Sequence, residues 1–250
     1  MNKKVCLFVD GTTAFLSHPQ LHSVSIHSLS LAEPILSASL GNHHALLLGQ
    51  SGRVYCAGSS GILQNRLQFL DTPLHFTPLP DALESVEQVL CGSAHCLALT
   101  SAGDLYCWGE NAAGQVPDCS VPFVATPQHI ASRVSLIAAC GDHSSFVAND
   151  GIYYWPFYRS VKGEQARRIS HPMRVNTLYF MRLQVVQIAC HDGFNTILTE
   201  KGQLYGYYYF VNERLQRSPA AQALFPSSLD PGCIFALLPA IVPPPPSPNA

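Results

Sequence analysis

A motif returns about every fifty residues, and this periodicity constrains the fold more than any single residue does. The copies read LGNHHALLLGQSGRVYCAG from Leu40, CGSAHCLALTSAGDLYCWG from Cys91, CGDHSSFVANDGIYYWP from Cys140 and CHDGFNTILTEKGQLYGY from Cys190. With Gly41, Gly92, Gly141 and His191 in one column, the intervals are 51, 49 and 50 residues. A second column is glycine in every copy: Gly52, Gly103, Gly151 and Gly202. A period this constant marks one supersecondary unit used repeatedly, each copy too small to bury its own apolar face.

Every copy has the same internal order. An apolar run leads in, a glycine turn follows, and then small and apolar residues alternate, as in Cys96-Leu97-Ala98-Leu99. A tight turn, Ser101-Ala102-Gly103-Asp104, separates this run from Leu105-Tyr106-Cys107-Trp108. Two β-rich runs around a glycine turn predict a hairpin. A further strand, opened by proline, is expected between hairpins: TPLHF at Thr72, TPQHI at Thr126, HPMRV at His171 and HPQLHSV at His18. Four short strands per fifty residues is the arithmetic of a propeller blade. Hydrophobic residues make up 47% and charged residues only 12% of the 250, which suits strands buried between stacked sheets.

The expected organisation is a set of propeller repeats over 1–216. A partial unit covers 1–36, and repeats start near 37, 88, 136 and 186. Residues 217–250, which end in PPPPSPNA, are expected to be an atypical, disordered Pro-rich tail.

CGSAHCLALTSAGDLYCWGENAAGQ resembles the repeat of the regulator of chromosome condensation family. It has the Gly-x-x-His turn (Gly92, His95), the Leu strand (Leu97, Leu99), the Gly turn (Gly103), and Trp108-Gly109-x-Asn111-x-x-Gly114-Gln115. The first copy keeps Gly41, His44, Gly52 and Gly58, and the third keeps Gly141, Gly151 and Trp155. In the fourth, His191 replaces the leading glycine and Tyr207 stands in the tryptophan column. The resemblance implies an all-β propeller. Four copies and part of a fifth make it an incomplete one, expected to be a fragment or isoform of a longer chain. It further implies a protein–protein interaction role in small-GTPase regulation or trafficking, up to guanine nucleotide exchange. The founding member exchanges nucleotide on Ran and docks on nucleosomes, so a chromatin-binding module is the alternative.

The chemistry-bearing residues are read against that pattern. Cys91, Cys140 and Cys190 share one column, and Cys56 and Cys107 another, so packing rather than an ion places them; no metal and no cofactor is expected. His44 and His95 share a column with Ser144 and Phe194 and are expected to pin the turn to a neighbouring strand. Gly41, Gly52, Gly92, Gly103, Trp108, Gly109, Gly141, Gly151, Trp155 and Gly202 are expected to be structural as well. No nucleophile–base or phosphate-loop pattern occurs, so no catalytic residue is expected. The aromatic runs IYYWPFY and YGYYYF are expected to fill sheet interfaces. One basic stretch remains, with Arg159, Lys162, Arg167, Arg168 and Arg174, expected as an exposed connection that contacts an acidic protein partner such as a small GTPase. The net charge of −2 argues against nucleic acid as the partner. The short apolar run after MNKK is no secretory signal and no stretch is long enough to span a bilayer, so a cytoplasmic location is expected, with the nucleus as the alternative.

Overall fold

A computed structural model describes residues 6–10, 13–17, 33–42, 44–58, 76–79, 83–117, 119–155, 157–159, 167–169, 171–175, 184–191, 194–208 and 235–237. Every regular element among them is a β-strand. A first hairpin, β1 (Cys6–Asp10) with β2 (Thr13–Ser17), precedes four four-stranded antiparallel sheets. The first sheet is β3 (Ile35–Leu40), β4 (His44–Gly49), β5 (Val54–Gly58) and β6 (Thr77–Pro78). The second is β7 (Val86–Cys91), β8 (His95–Thr100), β9 (Leu105–Glu110) and β10 (Phe123–Ala131). The third is β11 (Val134–Cys140), β12 (His143–Ala148), β13 (Gly151–Trp155) and β16 (Met173–Arg174), with the small hairpin β14 (Phe157–Arg159) and β15 (Arg167–Ile169) between its last two strands. The fourth is β17 (Val185–His191), β18 (Phe194–Thr199), β19 (Leu204–Tyr208) and β20 (Phe235–Leu237). Each sheet is one repeat, and strands follow one another in space as in sequence.

The second strand of a blade explains the composition. In β8 all six residues are buried, because both faces of the sheet are covered. Cys96 and Ala98 point into a cluster with Leu46, Leu48, Val54 and Cys56 of the first blade. Leu97 and Leu99, half a pleat away, join Val134, Ile137, Phe146 and Trp155 of the third. A third cluster joins Ala138, Ile152 and Tyr154 to Ile188, Ile197 and Tyr205. The core is thus a series of layers between blades, and each fully buried leucine contributes roughly 1.5–3 kcal/mol to the layer it enters.

First strands pack on one another in chain order, β1 on β3, β3 on β7, β7 on β11 and β11 on β17, so the sheets converge along that edge. Among the described residues no packing of similar extent returns from the fourth sheet to the first. The row is open, an incomplete propeller. Each first strand also slips register near its start, between Ile35 and Ser37, Val86 and Gln88, Val134 and Leu136, and Val185 and Gln187. Such a bulge bends the strand locally, and it recurs at the same place in all four blades.

Two fourth strands differ from the expectation. In the first blade β6 is Thr77–Pro78, beyond the TPLHF run. The proposed strand at His18 lies outside the described residues. In the fourth blade the last strand comes from the segment expected to be a disordered tail: Phe235–Leu237 pairs with Tyr205 to Tyr207 of β19. Its three apolar residues, Phe-Ala-Leu, lie in the longest uncharged run of that segment. They pair with the outer edge of β19, and an unpaired strand edge invites backbone pairing.

Candidate functional site

The residues that repeat most faithfully meet where adjacent blades join. Gly92 and His95 close a two-residue turn between β7 and β8, with Gly92 N donating to His95 O at 2.9 Å, and Gly41 and His44 do the same between β3 and β4. These turns are strung together: Asn42 N donates to Ser93 O at 2.8 Å, and Ser93 N donates to Gly141 O at 2.6 Å. A Cβ at Gly92 would overlap the imidazole of His95 and lie 2.8 Å from the Gly141 carbonyl oxygen. Glycine is required there by close approach, since its φ is not positive. His95 is fully buried, and its Nε2 lies 2.6 Å from Ser144 Oγ of the next blade. Burial, with the nearby charge of His44 and His143, lowers its pKa to about 3, so the ring is neutral.

In the third blade this arrangement is slid by one residue relative to the glycine column. Cys140 pairs with His143, as Gly92 does with His95, and Gly141 takes the place of Ser93 with φ 58°. His143, not Ser144, therefore stands in the histidine column, and Ser144 is the next-blade partner of His95. The shift has a simple cause. The β12–β13 turn from Ala148 to Gly151 is one residue shorter than the turn from Thr100 to Asp104, and Trp155 fixes the register from the other side.

The opposite ends of the hairpins form a second line of junctions. Gly103 has φ 82°, a left-handed conformation that only glycine adopts without cost, and its carbonyl accepts from Val134 N of the next blade at 2.9 Å. Gly52 accepts from Val86 N in the same way, at 3.3 Å, and Gly202 closes the β18–β19 turn on Thr199. Gly151 opens β13 beneath the Arg174 side chain, and Gly109 packs on the Ala94 carbonyl. Trp108 and Trp155 are fully buried between blades. Trp155 Nε1 donates to the Gln115 carbonyl at 2.7 Å, tying the third blade to the loop of the second.

That loop is organised by two residues whose roles the sequence pattern does not reveal. Asn111 Nδ2 donates to the carbonyls of Cys119 and Val121, both at 2.9 Å, while its Oδ1 accepts from Val116 N at 3.0 Å. Gln115 Oε1 accepts from Ala113 N, and its Nε2 donates to Asp142 Oδ1 of the next blade at 3.4 Å.

Two constellations invite a chemical reading. Asp104, Ser132 and His129 meet at the surface, with Ser132 Oγ 2.6 Å and His129 Nε2 3.4 Å from Asp104 Oδ1. Serine and aspartate both engage the same imidazole nitrogen, so the ring cannot relay a proton between them as a catalytic triad requires. The second brings together His44, Cys91 and Cys96, all buried, one ligand atom from each within 4.8 Å of the others. Burial pushes the Cys91 thiol up, but hydrogen bonds from Cys96 and His44 outweigh it and hold the group below the usual thiol range. The other buried thiols are ordinary column fillers: Cys107 Sγ donates to the Gln115 carbonyl, Cys56 Sγ to the Thr77 carbonyl, and burial raises both.

The basic stretch is split. Arg159 and Arg167 are paired opposite one another across β14 and β15, and Arg168 is paired with Tyr158. Arg174 belongs instead to β16, where its guanidinium donates to the Asp150 carbonyl. Lys162 lies outside the described residues.

The regulator of chromosome condensation (RCC1) repeat model matches residues 86–115, which run from the start of β7 through the Asn111–Gln115 loop. The match falls in the second of the four sheets, and the other three share its strand order. It is 30% identical over 208 residues to the ultraviolet-B receptor UVR8 of Arabidopsis thaliana, a match covering 78% of this chain and 46% of the receptor. It is 26% identical over 209 residues to the E3 ubiquitin-protein ligase HERC2 of Homo sapiens, covering 78% of the chain and 4% of the ligase. Among solved structures, human WBSCR16 superposes with a TM-score of 0.65 at 20% identity, over 81% of this chain and 58% of that one. Prp20p of Saccharomyces cerevisiae, described with its binding to Gsp1p and histones, superposes with a TM-score of 0.58 at 20% identity, over 79% and 54%. The chain thus spans about half the length of UVR8 and a small part of HERC2.

Proposed function

We propose that this RCC1-repeat propeller is a protein–protein interaction module in small-GTPase regulation or membrane trafficking, working in the cytoplasm as part of a guanine nucleotide exchange factor. The observation that carries the reading is the β14–β15 hairpin. It is an excursion between the third and fourth strands of one blade, and its register sets Arg159 directly opposite Arg167. A hairpin whose strands carry Arg159, Arg167 and Arg168 suits an acidic partner face. Repeat residues are engaged in junctions, whereas this hairpin is additional to the blade pattern. The reading requires no covalent chemistry, only displacement of bound nucleotide. The overall charge of −2 weighs against a nucleosome as the partner.

The test is binding of purified Ran- and Rab-family GTPases, in GDP-bound and nucleotide-free forms, to the chain and to its Arg167→Glu/Arg168→Glu variant. The reading expects saturable binding of at least one GTPase, weakened about tenfold or more by charge reversal, with faster nucleotide release. Equal binding by both chains would remove the hairpin from the account, absence of any GTPase binding would remove the GTPase role, and binding without faster release would remove exchange.

A further inference from the structure

The first two blade junctions share a backbone but differ in chemistry. At the second, the ring of His95 faces Ser144, and the residue paired across from Ser144 is Ala139. At the first, the same two places in the following blade hold Cys96 and Cys91, paired across β7 and β8. The His44 ring packs on Gly41, where a Cβ would overlap the imidazole, and it lies beside this pair. His44 Nε2 is buried and, unlike Nε2 of His95, has no hydroxyl or carbonyl partner; what it faces is the Cys91 thiol, whose Sγ also donates to the Ser39 carbonyl at 3.3 Å.

We propose that the junction between the first and second blades is a binding site for a thiophilic d10 metal ion, held by His44, Cys91 and Cys96. A buried imidazole nitrogen and two sulfurs, all within 4.8 Å of one another, fit around one ion after small side-chain movements, given metal–sulfur and metal–nitrogen bonds of about 2.3 and 2.0 Å. Two soft sulfurs and one imidazole select Cu(I) or Zn(II) over the hard cations Mg(II) and Ca(II). Three ligands in a site closed to water suit Cu(I) better than Zn(II), whose structural sites take four. Sequence spacing hides the site, because Cys91 and Cys96 are separated by four residues and the histidine comes from the preceding repeat. The bound ion cross-links two blades that are otherwise joined by packing and turn hydrogen bonds, so it stabilises the folded chain by mass action.

The second junction supplies the control. Cys91→Ala with Cys96→Ser copies Ala139 and Ser144, a pair the fold already accommodates. The chain is purified reduced and metal-free, then titrated with Cu(I) and separately with Zn(II), each against a competing chromophoric chelator. The proposal expects one equivalent of ion in the wild-type chain, Cu(I) held more tightly, and none in the double variant. X-ray absorption of the wild-type chain with one equivalent of Cu(I) should show a shell of two sulfurs and one nitrogen. The metal-loaded chain should unfold about 5 °C or more above the metal-free chain. Failure of the wild type to compete with the chelator would overturn the proposal. So would an equivalent retained by the double variant, or a shell of sulfur alone or of nitrogen and oxygen alone. The absorption measurement decides even if the double variant fails to fold.

Discussion

Gly92 illustrates how a glycine can be fixed by its neighbours rather than by its own dihedrals. Its missing side chain is the space in which the His95 ring and the next blade's Gly141 carbonyl meet. Gly202 is the opposite case: its φ is 71°, yet a Cβ there would meet nothing within 4 Å. The two glycines therefore respond differently to the same change. Gly92→Ala is expected to destabilise by about 3 kcal/mol, from overpacking between immovable groups. Gly202→Ala is expected to cost about 1 kcal/mol, the price of a left-handed L-residue. Equilibrium denaturation of both variants checks this, and equal midpoints would contradict the close approach. This distinction was not visible in the sequence, where both are simply column glycines. Nor is the one-residue slide that puts His143 in the histidine column, because the glycine column masks the shorter turn before Trp155. The convergence of His44 on Cys91 and Cys96 is hidden for a related reason, as both cysteines lie in the repeat after the histidine's.

At the scale of elements, the first three strands of each blade are legible in the sequence, and the second strands are the most buried. Alternation and turn glycines suffice when both faces of a strand are covered. Fourth strands carry a weaker signal: β6 and β16 are two residues long, and they bond chiefly through backbone to the strand inside them. That is why the last strand of the fourth blade reads as part of a tail in the sequence. Its pairing with β19 makes a prediction. Removing residues 217–250 takes away β20 and leaves β19 as an edge. Limited proteolysis of the shortened chain should show new cleavage between Phe194 and Tyr208, with β4 and β8 as resistant as before. Unchanged resistance in the fourth sheet would mean that β20 does not close it. The same scale holds the β14–β15 hairpin, an excursion whose basic ends the sequence identified and whose strand pairing it did not.

At the scale of the molecule, the described residues place the core in three layers between blades rather than one centre. Each blade touches its neighbours in sequence, so the chain is held as a row of nearest-neighbour contacts. The residues that make the repeat recognisable are the ones that join those neighbours. The central claim is that the turns between first and second strands are bonded from blade to blade. Amide hydrogen exchange tests it most directly at Asn42 and Ser93, which lie in turns and donate only across a junction. Both amides should exchange at least about a hundredfold more slowly than in an unstructured turn. Exchange of Asn42 and Ser93 at the rate of a free, solvent-facing turn would contradict the account.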